Sequence, residues 1–431
     1  MSSNNRDRPA RLLWNSSRIA PIITDINVDR LGTKYFNLTK IYNNISETHN
    51  EKFRNQEMKE ITLEMRNQQI EEVKRLRYPI SRMRIEGYIR EFVFTNILLS
   101  HLKGKPRPLG DHNRQHFTPN VYSKNFSDVY GEEYGQFRLG FFNIADHGIT
   151  GSSKLIGAIP HTSQEKYLYA PGLEQLLSVY EGEYGNICKK IMPTTQVRSD
   201  LLSSDVTDWN YLQNNSYNIW DRIVLSTFIA IQALRTPTKI DIISKNKNLP
   251  PELELTKNSA LVNSIITVAT ELSLGDWNWI HPQKALFFLE EPVINSTPPY
   301  DSNDKIWRIP IGRNILLQIS PPRKLRNTVT PSKIHTQTEQ EYIAHTIESY
   351  MIMVENNFTA FGHPNEVIFD PLLAEIFIEK LPKNPTKREQ LNRAPAQWVT
   401  VYPGEKTEAH NIRWKTNIEM KDAYNLFLGE M

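Results

Sequence analysis

The sequence predicts an α+β protein, predominantly α-helical with a minor antiparallel β portion. Several segments repeat apolar residues at spacings of three and four, the period of a helix with one buried stripe. Shorter apolar runs bounded by Pro, Gly, Asn and Ser read as strands and turns, at residues 137–142, 285–319 and 397–402. No repeat of fixed period runs through the 431 residues, which argues against a solenoid or propeller.

Residues 1–48 are polar, Asn-rich and weakly periodic, and read as an N-terminal arm. Residues 49–165 make a helical and irregular region. Its first helix covers 49–77, where Phe53, Met58, Ile61, Met65, Val73 and Leu76 recur among Glu, Lys, Arg and Gln, side chains that lose little freedom in a helix. Pro79 ends it. A second helix over 82–103 carries Ile85, Tyr88, Ile89, Phe92, Val93 and Ile97. Gly and Pro mark 103–110 as a loop, and 111–165 is mixed with short strand-like pieces.

Residues 166–431 form the main body. Pro171 opens a helix over 171–191, in the first turn, where a missing N–H costs little. The strongest helix is 216–234, whose Trp220, Val224, Phe228 and Ile231 are expected on one buried face. Another helix covers 257–272. In Trp277-Asn278-Trp279-Ile280-His281-Pro282 two tryptophans straddle one residue and a proline breaks the run; a short apolar strand candidate, 285–289, follows. Turn chemistry at 296–299 and at Gly312-Arg313-Asn314 divides the strands of 285–319. Thr338-Glu339-Gln340-Glu341 fits a capping box ahead of Tyr342, Ile343, Ile347, Tyr350, Met351 and Val354. A short helix over 371–381 and a strand over 397–402 complete the chain.

The length suits two or three domains, or one large body. Eight Trp, 18 Tyr and 17 Phe supply ample bulk for a core. A net charge of +3 argues against a dedicated nucleic-acid binder with a broad basic face, while leaving room for a local patch. The single cysteine, Cys188, allows no intrachain disulfide and fits a reducing compartment. The N-terminus lacks the apolar stretch of a signal peptide, and no run approaches the ~20 apolar residues of a membrane span.

No glycine-rich phosphate loop occurs, and no nucleotide or other cofactor is expected. Asp111, His112 and His116 could hold a metal if helical, but Pro108, Gly110 and Pro119 oppose a helix, and surface or turn histidines are the commoner outcome. Asp146-His147-Gly148 reads as a turn rather than part of a catalytic triad, since adjacent residues rarely face each other. His345 and Glu348, three apart on a helix, could share a proton or a metal, with a solvated pair as the plainer reading. Cys188, between Ile187 and Ile191, reads as a buried small hydrophobe. Basic clusters at Lys74, Arg75, Arg77, Arg82 and Arg84, at Lys103, Lys105 and Arg107, and at Arg323, Lys324 and Arg326 could contact a partner or RNA. A solvated or salt-bridged face is the alternative. No catalytic or metal-binding set emerges.

Three segments together resemble the clamp, or inner-capsid nodule, protein of turreted reoviruses. They are Gly172-Leu173-Glu174-Gln175-Leu176-Leu177-Ser178-Val179-Tyr180-Glu181-Gly182-Glu183-Tyr184, then Trp209-Asn210-Tyr211 leading into Ile223-Val224-Leu225-Ser226-Thr227-Phe228, and Ile280-His281-Pro282-Gln283-Lys284-Ala285-Leu286-Phe287-Phe288-Leu289-Glu290-Glu291-Pro292. A weaker echo is Ala396-Gln397-Trp398. The similarity lies in the order of the motifs and covers about residues 165–295. It implies an elongated, clamp-like, non-enzymatic viral capsid protein that decorates an inner shell and fastens its subunits together. The implied partners are several copies of the inner-shell protein, with the turret protein and viral RNA as further candidates. The implied location is the virion, reached from the host cytoplasm. Two other classes remain in view: a viral nonstructural RNA-binding protein, and a metal-dependent enzyme built around Asp111, His112 and His116.

Overall fold

The computed structural model describes residues 51–77, 79–102, 114–116, 118–129, 137–145, 148–155, 164–166, 171–192, 208–213, 218–236, 257–296, 306–320, 328–329, 331–356 and 358–362. The expected arm, the loop 103–110, the helix 371–381 and the strand 397–402 fall outside them, as do Asp111, His112, Asp146 and His147.

The chain opens with α1 (Glu51–Lys74), closed by Arg77, whose Nη1 donates to the carbonyls of Lys74 and Leu76 before Pro79 prevents further helix. A two-residue strand β1 (Ile80–Ser81) leads into α2 (Arg82–Leu102). Next come β2 (Arg114–His116), a single turn α3 (Asn120–Ser123) continued as a 3₁₀ turn to Phe126, β3 (Asp128–Val129), β4 (Phe137–Ala145), β5 (Gly148–Leu155) and β6 (Gln164–Lys166). The helices α4 (Pro171–Ile191), α5 (Trp209–Gln213), α6 (Ile219–Leu234) and α7 (Lys257–Leu274) follow. The rest is β7 (Asp276–His281), β8 (Phe288–Leu289), β9 (Ile294–Ser296), β10 (Ile306–Gly312), β11 (Ile315–Ser320), β12 (Thr328–Val329), β13 (Lys333–Thr336), α8 (Glu339–Asn356) and β14 (Ala360–Gly362). The fold is α+β and mainly helical, with antiparallel sheets.

One five-stranded sheet runs β13-β7-β11-β10-β9, antiparallel except for β13, which lies parallel to β7. Arg313 and Asn314 make the β10–β11 turn, as their turn chemistry predicted, and the register slips between Pro310 and Gly312. The second sheet runs β3-β4-β14-β8, with β5 on the other side of β4.

Three strand expectations change. The Trp277–Trp279 stretch itself forms a six-residue strand, because β11 and β13 pair with both its sides. Of the apolar run 285–289 only Phe288–Leu289 is strand; Leu286 instead donates its N–H to Arg313 O. In 111–165 a long hairpin, β4–β5, replaces the short pieces expected. Its second strand contains Gly148, Gly151, Ser152 and Ser153, so it shows no apolar alternation to read.

The helix α6 departs from expectation in an instructive way. Trp220, Val224, Phe228 and Ile231 are buried as expected, but so is every other residue from Ile219 to Leu234. It is a central helix, packed by α7, α4, α1 and α2, rather than an amphipathic one. Its polar side chains are tied internally. The Asn218 side chain caps the N-terminus by accepting from the Asp221 N–H at 2.8 Å, and Thr227 Oγ1 donates to Ile223 O at 2.8 Å.

The end of α7 shows how sequence neighbours and distant residues share one task. Its last carbonyls lack helical partners. Trp277 Nε1 donates to Leu272 O at 2.7 Å, Arg222 Nε to Ser273 O at 2.8 Å, and Arg222 Nη2 to Gly275 O. The Arg222 guanidinium also lies 4.7 Å from the Trp277 ring centre, at the negative end of the helix dipole. Gly275 makes this turn possible, because a Cβ there would stand 2.5 Å from Ile319 Cγ2 and 2.9 Å from Ser320 O. Gly275→Ala is therefore expected to destabilise by about 1–3 kcal/mol, seen as a lower urea midpoint; an unchanged midpoint would show that the β7–β11 pair yields freely.

Candidate interaction surface

Among the described residues no three His, Cys, Asp or Glu side chains come together as metal ligands. Of the titratable groups singled out in the sequence, Cys188 and Glu348 are built into packing. Cys188 lies buried on α4, where Asn125 Nδ2 donates to its Sγ at 3.4 Å and also to Tyr184 Oη at 3.1 Å and Ile311 O at 2.9 Å. Burial pushes the Cys188 thiol up to about 12, against smaller downward effects of hydrogen bonds from Tyr184 and Asn125, so little thiolate exists at neutral pH.

His345 and Glu348 are not a solvated pair. Glu348 is buried and forms an ion pair with Arg308, which reaches across from β10. His345 Nδ1 sits 2.9 Å from Gln337 Nε2. Desolvation, and secondarily the positive charge of Arg308, hold His345 well below the usual imidazole range, so it is neutral at physiological pH. The sequence could not show this, because Arg308 lies forty residues away from its partner.

Gln337 organises a joint between β7, β13, α5 and α8. Its N–H donates to His281 O at 2.9 Å, its Oε1 accepts from the Gln283 N–H at 3.1 Å, and its O accepts from Gln283 Nε2 at 2.6 Å. The rings of Trp209 and His281 lie 5.4 Å apart, and Lys284 Nζ stands 5.1 Å from the centre of the Tyr342 ring. The predicted capping box closes the same corner: the Thr338 N–H donates to Glu341 Oε2 at 2.8 Å and the Glu341 N–H to Thr338 Oγ1 at 3.2 Å. Burial raises the Glu341 carboxyl, but hydrogen bonds from the Thr338 N–H, from His335 and from the Thr338 hydroxyl outweigh it and hold the carboxyl below the usual range. His281, Gln283, Lys284 and His335 are exposed, while Trp209 and Tyr342 are half-buried. This mixture of aromatic bodies and polar tips is of the kind found where proteins meet.

A second buried carboxylate, Asp221, binds Lys190 Nζ at 3.0 Å and Tyr211 Oη. Burial first, and then the Asp221 charge, raises the Tyr211 phenol well above its ordinary range. Glu290 is held differently, by groups of the neighbouring backbone. Its Oε1 accepts from the Thr359 N–H at 3.1 Å, its backbone pairs with Thr359 O, and Thr118 Oγ1 donates to its carbonyl. Burial raises its carboxyl to about 7. Because the folded value exceeds the ordinary 4.5, Glu290 supports stability below about pH 4.5, and that support is lost as pH rises through about 7. Glu290→Gln is expected to remove this step and to gain roughly 2–3 kcal/mol at pH 8. Parallel urea curves for both proteins across pH 5–8 would refute it.

The basic residues predicted to contact a partner or RNA, Lys103, Lys105, Arg107, Arg323, Lys324 and Arg326, lie outside the described residues. The first basic cluster is described. Lys74 pairs with Glu71 at 2.8 Å, Arg82 with Glu271, and Arg84 Nε donates to Tyr88 Oη at 3.2 Å. The strand β12, which follows Arg323, Lys324 and Arg326 in the sequence, pairs with β1 inside that first cluster, Ile80 opposite Val329. His116 stands in β2, opposite Gln164. Sequence reasoning missed Gln337 and Arg308 as organisers, because each acts through partners distant in the chain. No protein-family model matches the chain, and neither does any curated protein or solved structure. No helix among the described residues is long and apolar enough to cross a membrane.

Proposed function

We propose that this chain is a structural, non-enzymatic capsid protein that decorates the inner shell of a double-stranded RNA virus and clamps neighbouring shell subunits together. One observation carries the reading. The three segments that resemble the clamp proteins, 172–184, 209–228 and 280–292, are far apart in sequence yet pack as one body. Tyr184 stacks on Phe228 with ring centres 3.8 Å apart, and Trp209 lies against His281 with ring centres 5.4 Å apart. Tyr180, Tyr184, Val224, Phe228 and Phe288, which lie in these segments, are buried packing residues, as suits a protein whose work is to keep its shape against several neighbours. Its partners are several copies of the inner-shell protein, with the turret protein and viral RNA as further candidates. Its place is the virion after assembly in the host cytoplasm.

A clamp gains strength by multivalency, since the shell fixes the spacing of contacts that are individually weak. Co-sedimentation at equal subunit concentration should show much tighter binding to assembled shells than to isolated shell subunits. Equal affinity for both, or binding to RNA alone, would remove the clamp reading; the second result would favour an RNA-binding protein.

A further inference from the structure

From Lys74 to Arg84 the chain carries Lys74, Arg75, Arg77, Arg82 and Arg84 and no acidic residue, although the net charge of all 431 residues is only +3. Helix stability does not account for this concentration, because Arg82 and Arg84 stand in the first turn of α2, where the dipole disfavours cations. Their partners are exposed or shared: Arg82 pairs with Glu271 at the surface, Lys74 with the exposed Glu71, and Arg77 with backbone carbonyls. Such surface pairs contribute little and exchange readily for other carboxylates. Between Arg82 and Arg84 projects Met83, 84% exposed, the most exposed large apolar side chain among the described residues. Arginine and methionine are enriched where proteins meet, and the guanidinium fork accepts a carboxylate through two hydrogen bonds.

We propose that Arg75, Arg77, Arg82, Met83 and Arg84 form a docking site for an acidic protein segment that also carries an apolar side chain. The cations take its carboxylates and Met83 takes its apolar residue. A nucleic-acid backbone would satisfy the cations and leave Met83 bare, which is why a protein is the favoured partner. The site deepens the clamp reading by naming its partner's chemistry.

The test uses the full chain and no shell, so either idea can fail alone. Fluorescence anisotropy would compare a labelled glutamate–tyrosine copolymer, polyglutamate and single-stranded polyuridylate, at low and high salt. The copolymer should bind more tightly than polyglutamate, and Met83→Ser should erase that difference, about fivefold. Arg77→Glu with Arg84→Glu should weaken both glutamate polymers about tenfold, with higher salt acting in the same direction. Should that double variant unfold, Arg75→Glu, on an exposed side chain beyond the end of α1, should still weaken both about threefold. Absence of copolymer binding, or binding unchanged in the charge variants, would overturn the site. Polyuridylate bound most tightly, with Met83→Ser neutral, would overturn it in favour of a phosphate-binding surface.

Discussion

Replacing Phe228 with alanine is expected to lower the unfolding free energy by about 3–5 kcal/mol. Phe228 has no exposed surface, and its ring lies parallel to that of Tyr184 with centres 3.8 Å apart, with Tyr122 6.3 Å away. The surrounding groups cannot easily collapse into the space. Tyr184 is anchored by Asn125 and by its own hydroxyl donating to Ile311 O at 3.3 Å, and Tyr122 by a hydrogen bond to Pro310 O. A cavity that stays open keeps its full cost, on top of the lost transfer energy. Phe228→Leu, which retains most of the volume, should cost less than half as much. Urea unfolding followed by tryptophan fluorescence would show a lower midpoint at an unchanged slope. A loss under about 1 kcal/mol would mean that the α4–α6 contact is not part of the cooperative core.

Glu348→Ala should be comparably severe, about 3–5 kcal/mol, for an electrostatic reason. Glu348 and Arg308 are both almost without exposed surface, so removing the carboxylate leaves a guanidinium in a medium that solvates it poorly. The pair itself is a weak source of net stability, because desolvating two charges offsets most of their attraction. The double replacement Glu348→Leu with Arg308→Met should therefore recover most of what either single change loses. Additive losses in the double variant would show that the two residues do not act as a pair. The neighbouring His345 gives a second readout: with Arg308 replaced, one of the two influences holding its imidazole low disappears, so its titration should move upward.

Much of the helical framework was legible from local pattern. The helix α4 occupies its expected residues 171–191, and α2 ends one residue short of the expected 103. In α6 the Asn218 cap moved the start to Ile219. The capping box Thr338–Glu341 formed as its four residues alone required. These features depend on interactions within a few residues, which the sequence displays directly. Strands were harder. Whether Trp277–Trp279 or 285–289 became the longer strand depended on which had partners in β11 and β13, and pairing across a sheet leaves no mark within either strand.

By itself the sequence determined the fold class, the long helices, the burial of Phe228 and Cys188, and the concentration of arginines around Met83. Only the tertiary structure decided that α6 is surrounded on every side, that Glu348 meets Arg308, that Gln337 ties β7 to α8, and that β12 lies against β1 within the basic cluster. The division has a physical cause. Periodicity and capping are properties of a few neighbouring residues, whereas a buried charge, a sheet partner or a shared surface depends on groups separated by tens of residues, which come together only when the whole core packs.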